Sequence, residues 1–176
     1  KGWVLADYQA IRKGVPDLDR QKGVEAKSNA YQSLLTSSTL SRGPKISLEA
    51  GLHALLPNRW VAHVHSIAGQ LLGLMPEEEA RDFCFSLWGE DLKFCRIPPA
   101  VPGHELCSKV AENMSNVPPG QTVNLWILQN HGIAWGSDSH KKILGAVDAF
   151  EDPLRKRFGL HRYPPPIIEP LASPSH

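Results

Sequence analysis

The chain has 176 residues, of which 41% are apolar, so it is long enough and apolar enough to bury one hydrophobic core. Its formal net charge is +1 at pH 7 and its Lys and Arg residues are scattered, so we expect neither nucleic acid nor a membrane surface as a partner. No apolar stretch reaches the ~18 residues that a membrane-spanning helix needs. We expect one globular domain over residues 1–160 and a proline-rich tail over residues 161–176.

The first half of the chain predicts two helices. One surrounds residues 24–35, inside a surface connection. The other covers residues 46–57, where leucines at helical spacing share one face and Pro57 ends the helix. Glu49 lies in the first turn of this second helix, where a carboxylate is typical as a partner of the helix dipole. Glu49 is also a candidate proton carrier, because the next element along the chain carries two histidines.

The triplet His63-Val64-His65 stands in an apolar context that is typical of a buried strand. Residues i and i+2 of a strand point to the same side, so both imidazoles can reach one metal ion. Two such histidines are equally compatible with hydrogen-bonded residues of a protein core. A third ligand decides between these two interpretations.

His131 is the candidate for that third ligand. It ends a β-rich run over residues 123–131, and Gly132 begins the turn that follows. Rigid scaffolds commonly present catalytic side chains at such positions. Three histidines with no obvious fourth protein ligand leave an open coordination position, which is typical of a catalytic zinc. A carboxylate beside an open metal position can act as a general base or acid.

The elements between and after these motifs are less distinctive. Residues 67–75 predict a core helix, whereas residues 83–88 and 92–97 fit either two strands or a short helix and a strand. An amphipathic helix is predicted over residues 103–114. A last helix should follow the N-cap signal at residues 137–139, and Pro153 should kink or end it.

The three cysteines are odd in number and lack Cys-x-x-Cys spacing. This pattern favours free, buried thiols over a disulfide or a thiolate metal site. Free thiols persist in a reducing compartment, so we expect the protein to be cytoplasmic. The cysteines are Cys84, Cys95 and Cys107.

Five short segments between residues 45 and 158 together form a recognisable combination. They are Ser47-Leu48-Glu49, Leu52-His53-Ala54, His63-Val64-His65-Ser66, Pro102-Gly103-His104-Glu105-Leu106 and Gln129-Asn130-His131-Gly132. In this order and context they resemble the class II aldolase/adducin family, whose best-known members are the zinc-dependent fuculose-phosphate and rhamnulose-phosphate aldolases. The His-x-His and Asn-His-Gly elements are individually weak motifs, and their combination with the upstream Glu is fairly specific.

The resemblance implies a fold, a metal and a reaction. The fold is α/β, with three α/β/α layers and a central, mainly antiparallel sheet. Zn²⁺, or another divalent transition metal, is held by His63, His65 and His131. Glu49 ligates the metal in the resting enzyme and carries a proton during turnover. The reaction cleaves or forms a C–C bond in a sugar phosphate or related hydroxy-carbonyl compound through a metal-stabilised enediolate. The enzyme is a homotetramer with its sites near the subunit interfaces.

Other activities of the same scaffold stay open at this point. Epimerases of the family carry an Asp as the counterpart of Glu49, so the Glu favours C–C bond chemistry weakly. A dehydratase or a decarboxylase would keep all three histidines and differ in the residues around the substrate. A non-catalytic interaction module, like the adducin head, would normally lack the metal ligands that are present here.

The substrate-binding features of the family are only partly present in the chain. The Gly/Asn/Ser and Thr/Ser-Gly loops that bind the substrate phosphate do not precede Glu49, and residues 1–13 resemble the strand and short helix that normally follow them. We therefore expect either that the chain is a fragment or an unusually short member of the family, or that its phosphate or carboxylate recognition comes from elsewhere. In the first case this chain should bind sugar phosphates weakly or not at all. Family aldolases also place a tyrosine from a neighbouring subunit at the site, and Tyr163 is the tyrosine in a comparable position.

Overall fold

The computed structural model of the chain describes residues 3–90 and 92–160. Its helices are α1 Tyr8–Gly14, a 3₁₀ helix Val15–Arg20, α2 Val24–Ser37, α3 Ala50–Leu55, α4 Ile67–Leu74, α5 Glu77–Trp88, α6 His104–Ser115 and α7 His140–Arg157. Its strands are β1 Trp60–Val64, β2 Phe94–Ile97, β3 Leu125–Leu128 and β4 Gly132–Ser137. The proline-rich tail and Tyr163 lie outside the described residues, and the division at residue 160 stays a prediction.

The four strands form one mixed sheet in the order β1-β4-β3-β2. Strand β4 is antiparallel to both β1 and β3, whereas β2 and β3 are parallel. The predicted, mainly antiparallel sheet is therefore confirmed. Antiparallel β3 and β4 are joined by a tight turn, and the parallel pair is joined by a crossover through α6.

The sheet separates two hydrophobic cores, because alternate residues of a strand face opposite sides. In β3, Trp126 and Leu128 pack into a core shared with α1, α2, α3 and α6. Leu125 and Ile127 of the same strand pack into a second core shared with α4, α5 and α7. Full burial of one such side chain stabilises the fold by about 1.5–3 kcal/mol. This arrangement confirms the predicted three-layer α/β/α architecture.

The helices predicted around residues 24–35, 67–75 and 103–114 are present as α2, α4 and α6. Residues 83–88 belong to a helix, α5, and residues 92–97 contain strand β2. No helix among residues 3–90 and 92–160 combines the length and the apolar character of a membrane span.

Helix α7 continues past Pro153 to Arg157, so the proline does not end this helix, and the alternative of a kink at Pro153 stays a prediction. Proline lacks the N–H that would bond the carbonyl four residues earlier. The neighbouring residues Phe150 and Leu154 are 1% and 0% exposed, and their packing on the second core holds the helix together across the missing bond.

Two predicted elements are shorter than expected. Helix α3 begins at Ala50, and Glu49 is its N-cap, with φ −88° and ψ 0°, rather than a residue of its first turn. Strand β3 ends at Leu128, and Gln129 to His131 form the turn into β4. This turn is tight because Asn130 adopts the left-handed conformation, with φ 59°, which asparagine tolerates better than most residues.

Candidate metal centre

The side chains of Glu49, His63, His65 and His131 converge at the carboxyl end of β1. Their facing atoms, Oε1 of the glutamate and Nε2 of each histidine, all lie within 4.8 Å of one another. The three Nε2 atoms are 2.9–3.3 Å apart. Glu49 Oε1 lies 2.9 Å from His131 Nε2, 3.1 Å from His65 Nε2 and 3.4 Å from His63 Nε2. The structure thus brings together the four residues that the sequence singles out.

The spacing of these atoms fits a metal ion. A tetrahedral zinc with Zn–N bonds of ~2.0–2.1 Å separates its ligand atoms by about 3.3–3.4 Å. The separations here run from 2.9 to 3.4 Å, so the four atoms form a slightly compressed tetrahedral set. One carboxylate and three imidazoles are ligands that zinc and other first-row transition metals accept. The donor set therefore suits a divalent transition metal.

The tautomer of His63 also suits a ligand. Its Nδ1 lies 2.8 Å from the Ile133 carbonyl oxygen, which can only accept, so Nδ1 carries the proton and donates. Its Nε2 then presents a lone pair to the cluster. Burial lowers the pKa of His63, although the hydrogen bond to Ile133 and the charge of Glu49 oppose this effect. A neutral imidazole held by a backbone carbonyl is the usual state of a metal-ligating histidine.

Exposure differs sharply among the four side chains. Those of His63 and His131 are 3% and 8% exposed, so they form the floor of the site. The side chain of Glu49 is 22% exposed, and that of His65 is 55% exposed. The cluster is therefore open to solvent on the His65 side, where a small molecule could approach it.

The environment keeps Glu49 ionised. Burial alone would raise the pKa of its carboxyl group. The hydrogen bond with His131 and the electrostatic interactions with His63, His65 and His131 outweigh burial, so the pKa of Glu49 is lowered overall. An ionised carboxylate can bind a metal ion or accept a proton.

The turn between β3 and β4 brings His131 against the end of β1. In the register of the antiparallel pair, Val64 stands opposite Ile133. A Cβ atom on Gly132 would overlap the carbonyl oxygen of Val64 and lie 3.1 Å from the Cα atom of His65. The close approach of the two backbones, which requires a glycine here, places the imidazoles of His65 and His131 side by side.

Sequence reasoning missed the residues that hold α3. The Tyr31 hydroxyl of α2 donates to the Leu48 carbonyl at 2.6 Å, just before the helix begins. At the other end, the Arg12 guanidinium of α1 donates to the carbonyls of Ala54 and Leu56 at 2.7 and 2.8 Å. These contacts join residues that are 17 to 44 positions apart and carry no motif, so no local pattern could have indicated them.

His53 was predicted to be structural or solvated, and it lies outside the four-atom cluster. Its ring is 6.3 Å from that of His63, measured between centroids, in an edge-on arrangement. Burial lowers the pKa of His53, and the neighbouring His63 adds to that effect. The imidazole of His53 is therefore a neutral neighbour of the site.

Comparisons with known proteins bear on the fold of the chain. No family model matches the chain. Over 125 residues, which are 69% of this chain, it is 27% identical to a Bacillus subtilis (strain 168) protein described as the uncharacterized oxidoreductase YuxG, and it spans only 17% of that protein's length. The structure superposes on the N-terminal class II aldolase domain of a conserved protein from Thermoplasma acidophilum with a TM-score of 0.67 and 19% identity, covering 89% of this chain and 67% of that one. The chain therefore has the fold of a class II aldolase domain, as its motifs predict.

Proposed function

We propose that this chain is a Zn²⁺-dependent lyase of the class II aldolase type, which cleaves or forms a C–C bond in a sugar phosphate or related hydroxy-carbonyl compound. The observation that carries the proposal is the tetrahedral convergence of one carboxylate and three imidazoles within this fold. Zinc is the proposed ion because a set of three histidines with a displaceable fourth ligand is typical of catalytic zinc sites.

In this proposal the three histidines would hold the ion, and Glu49 would complete the ligand set. A bound cation would stabilise the negative charge that develops on the carbonyl and hydroxyl oxygens of the substrate. The buried imidazoles of His63 and His131 and the exposed imidazole of His65 would hold the ion.

Glu49 is the proposed proton carrier. When the C–C bond breaks, the substrate hydroxyl loses a proton, and the carbon that keeps the bonding electrons takes one up. The lowered pKa of Glu49 leaves its carboxylate able to accept a proton, and its partial exposure places it where a substrate would lie.

The remaining parts of the proposal concern the setting of the enzyme. The oxidoreductase description of the Bacillus subtilis relative concerns a protein of which the chain spans 17%, so it does not define the reaction of this region. We propose a cytoplasmic homotetramer, in which the free thiols of Cys84, Cys95 and Cys107 suit a reducing compartment.

The proposal predicts that Glu49→Gln lowers turnover by about two to four orders of magnitude and leaves the zinc content nearly intact, because proton transfer is lost and the three imidazoles remain. The assay follows cleavage of a panel of ketose phosphates and unphosphorylated hydroxy-ketones by zinc-loaded protein, with metal content measured in parallel. Glu25→Gln, on the exposed face of α2, is the matched control and should behave as the wild type. Cleavage that survives Glu49→Gln, or that survives removal of the metal with a chelator, would contradict the mechanism.

A further inference from the structure

The start of helix α3 has an unusual N-cap. An N-cap side chain normally accepts a hydrogen bond from one of the first free N–H groups of its helix. Glu49 occupies the N-cap position of α3 but makes no such bond. Its carboxylate instead contacts the three histidines. The N–H of Ala50 bonds the Ser47 carbonyl at 3.1 Å, so the next N–H group, that of Gly51, needs another acceptor.

Tyr31 supplies that acceptor. The N–H of Gly51, the second residue of α3, donates to the Tyr31 hydroxyl at 3.1 Å. The same hydroxyl donates to the Leu48 carbonyl at 2.6 Å. One hydroxyl thus bonds the backbone on both sides of Glu49, using its single donor and one of its acceptor positions.

Steric contacts restrict the hydroxyl to this place. Tyr31 is 1% exposed, and its oxygen lies 3.5 Å from Cys107 Sγ. A Cβ atom at position 51 would overlap the Tyr31 oxygen and approach Cys107 Sγ to 2.5 Å, so the backbone of α3 lies directly against the tyrosine. Burial raises the pKa of Tyr31 and Cys107 adds to the effect, so the hydroxyl remains a proton donor near neutral pH.

We propose that Tyr31 is a positioning residue that takes over the N-cap role of Glu49 and thereby frees the carboxylate to face the metal site. This inference rests on the proposed function, in which Glu49 is the fourth ligand and the proton carrier. It predicts that the hydroxyl of Tyr31 acts on the metal site through Glu49 alone.

The test uses Co²⁺ alone as the probe and compares Tyr31→Phe with the wild type. The variant keeps the buried ring and loses the two hydrogen bonds. We expect Co²⁺ affinity, measured by competition with a chelating indicator, to fall about three- to tenfold, since outer contacts of a metal site tune its affinity. The visible absorption of the bound Co²⁺ should also change, because the coordination geometry changes when Glu49 moves. In a Glu49→Gln background, Tyr31→Phe should have no further effect on either quantity.

Arg12→Met is the matched control. It removes two hydrogen bonds from the same helix at the end distant from Glu49, so it should lower the thermal midpoint and leave Co²⁺ affinity and absorption unchanged. If Tyr31→Phe reduces the folded fraction, the same comparison is made in a Gly145→Ala background. Gly145 lies in α7 with open space around its Cβ position, so alanine there stabilises the fold.

Three results would overturn the inference. If Tyr31→Phe binds Co²⁺ with wild-type affinity and wild-type absorption, the role of Tyr31 is overturned. The proposed function is not affected by that result. An equal loss of affinity in the Glu49→Gln background would show that Tyr31 supports the site by a route other than Glu49. Failure of the wild-type protein to bind Co²⁺ would remove the proposed function and the inference together.

Discussion

At the scale of single residues, the Asn130-His131-Gly132 turn shows how backbone conformation sets the geometry of the site. Asn130 adopts a left-handed conformation that reverses the chain, and Gly132 allows the chain to pass against the backbone of Val64. His131 lies between these two residues, so its imidazole is directed to His65 and Glu49 by the turn itself. The Asn-His-Gly motif is therefore explained by the backbone conformation of the residues on either side of His131.

Gly132→Ala tests this explanation. The added methyl group would overlap the Val64 carbonyl oxygen, so β1 and β4 must separate locally. We expect a loss of about 1–3 kcal/mol in the free energy of unfolding, measured by urea denaturation, together with weaker Zn²⁺ binding. Gly145→Ala is the matched control in α7 and should stabilise the protein by about 0.5–1 kcal/mol. Unchanged stability and zinc affinity in Gly132→Ala would show that the close approach of the backbones is not needed.

The cysteines allow a pH prediction at the same scale. Burial raises the pKa of Cys84, Cys95 and Cys107 to about 11 in each case. The thiolate is the reactive form. While the pH is below the pKa, the thiolate population grows about tenfold for each unit by which the pH rises. Iodoacetamide labelling of the folded protein, followed by mass spectrometry, should therefore be slow at pH 7 and still rise between pH 9 and 10. Labelling that levels off near pH 9, as for ordinary thiols, would contradict the raised pKa values.

At the scale of elements, α3 depends on its neighbours. A helix of six residues is too short to be stable alone, because nucleation costs more than so few hydrogen bonds return. Leu52 and Leu55 bury it against the first core, and side chains from α1 and α2 bond its two ends. The helix that presents Glu49 is thus held by tertiary contacts rather than by its own propensity.

The boundaries of these elements mark the limit of local sequence reasoning. The pairing of His63 with His65 follows from the period of a strand, and the prediction that they share a side of β1 agrees with the cluster. His65 nevertheless lies one residue beyond the strand. The N-cap position of Glu49 could not be predicted from its own segment, because the hydroxyl that replaces its capping bond belongs to Tyr31.

At the scale of the whole molecule, the sheet assembles a site from three separate regions of the chain. The turn before α3, the end of β1 and the β3–β4 turn each contribute, and the pairing of β1 with β4 brings the last two together. Resemblance to a family predicted this fold, whereas periodicity alone could not. The parallel pairing of β2 with β3, for example, depends on a crossover through α6 that neither strand encodes locally.

The central claim is that Glu49, His63, His65 and His131 form one metal site, and calorimetric titration of metal-free protein with Zn²⁺ tests it most directly. We predict one ion per chain in the wild type. His131→Ala should weaken binding by at least about tenfold, because it removes one imidazole of the set. His140→Ala, which removes an exposed imidazole at the start of α7, should bind as the wild type does. Absence of zinc binding in the wild type, or equal binding in His131→Ala, would contradict the account.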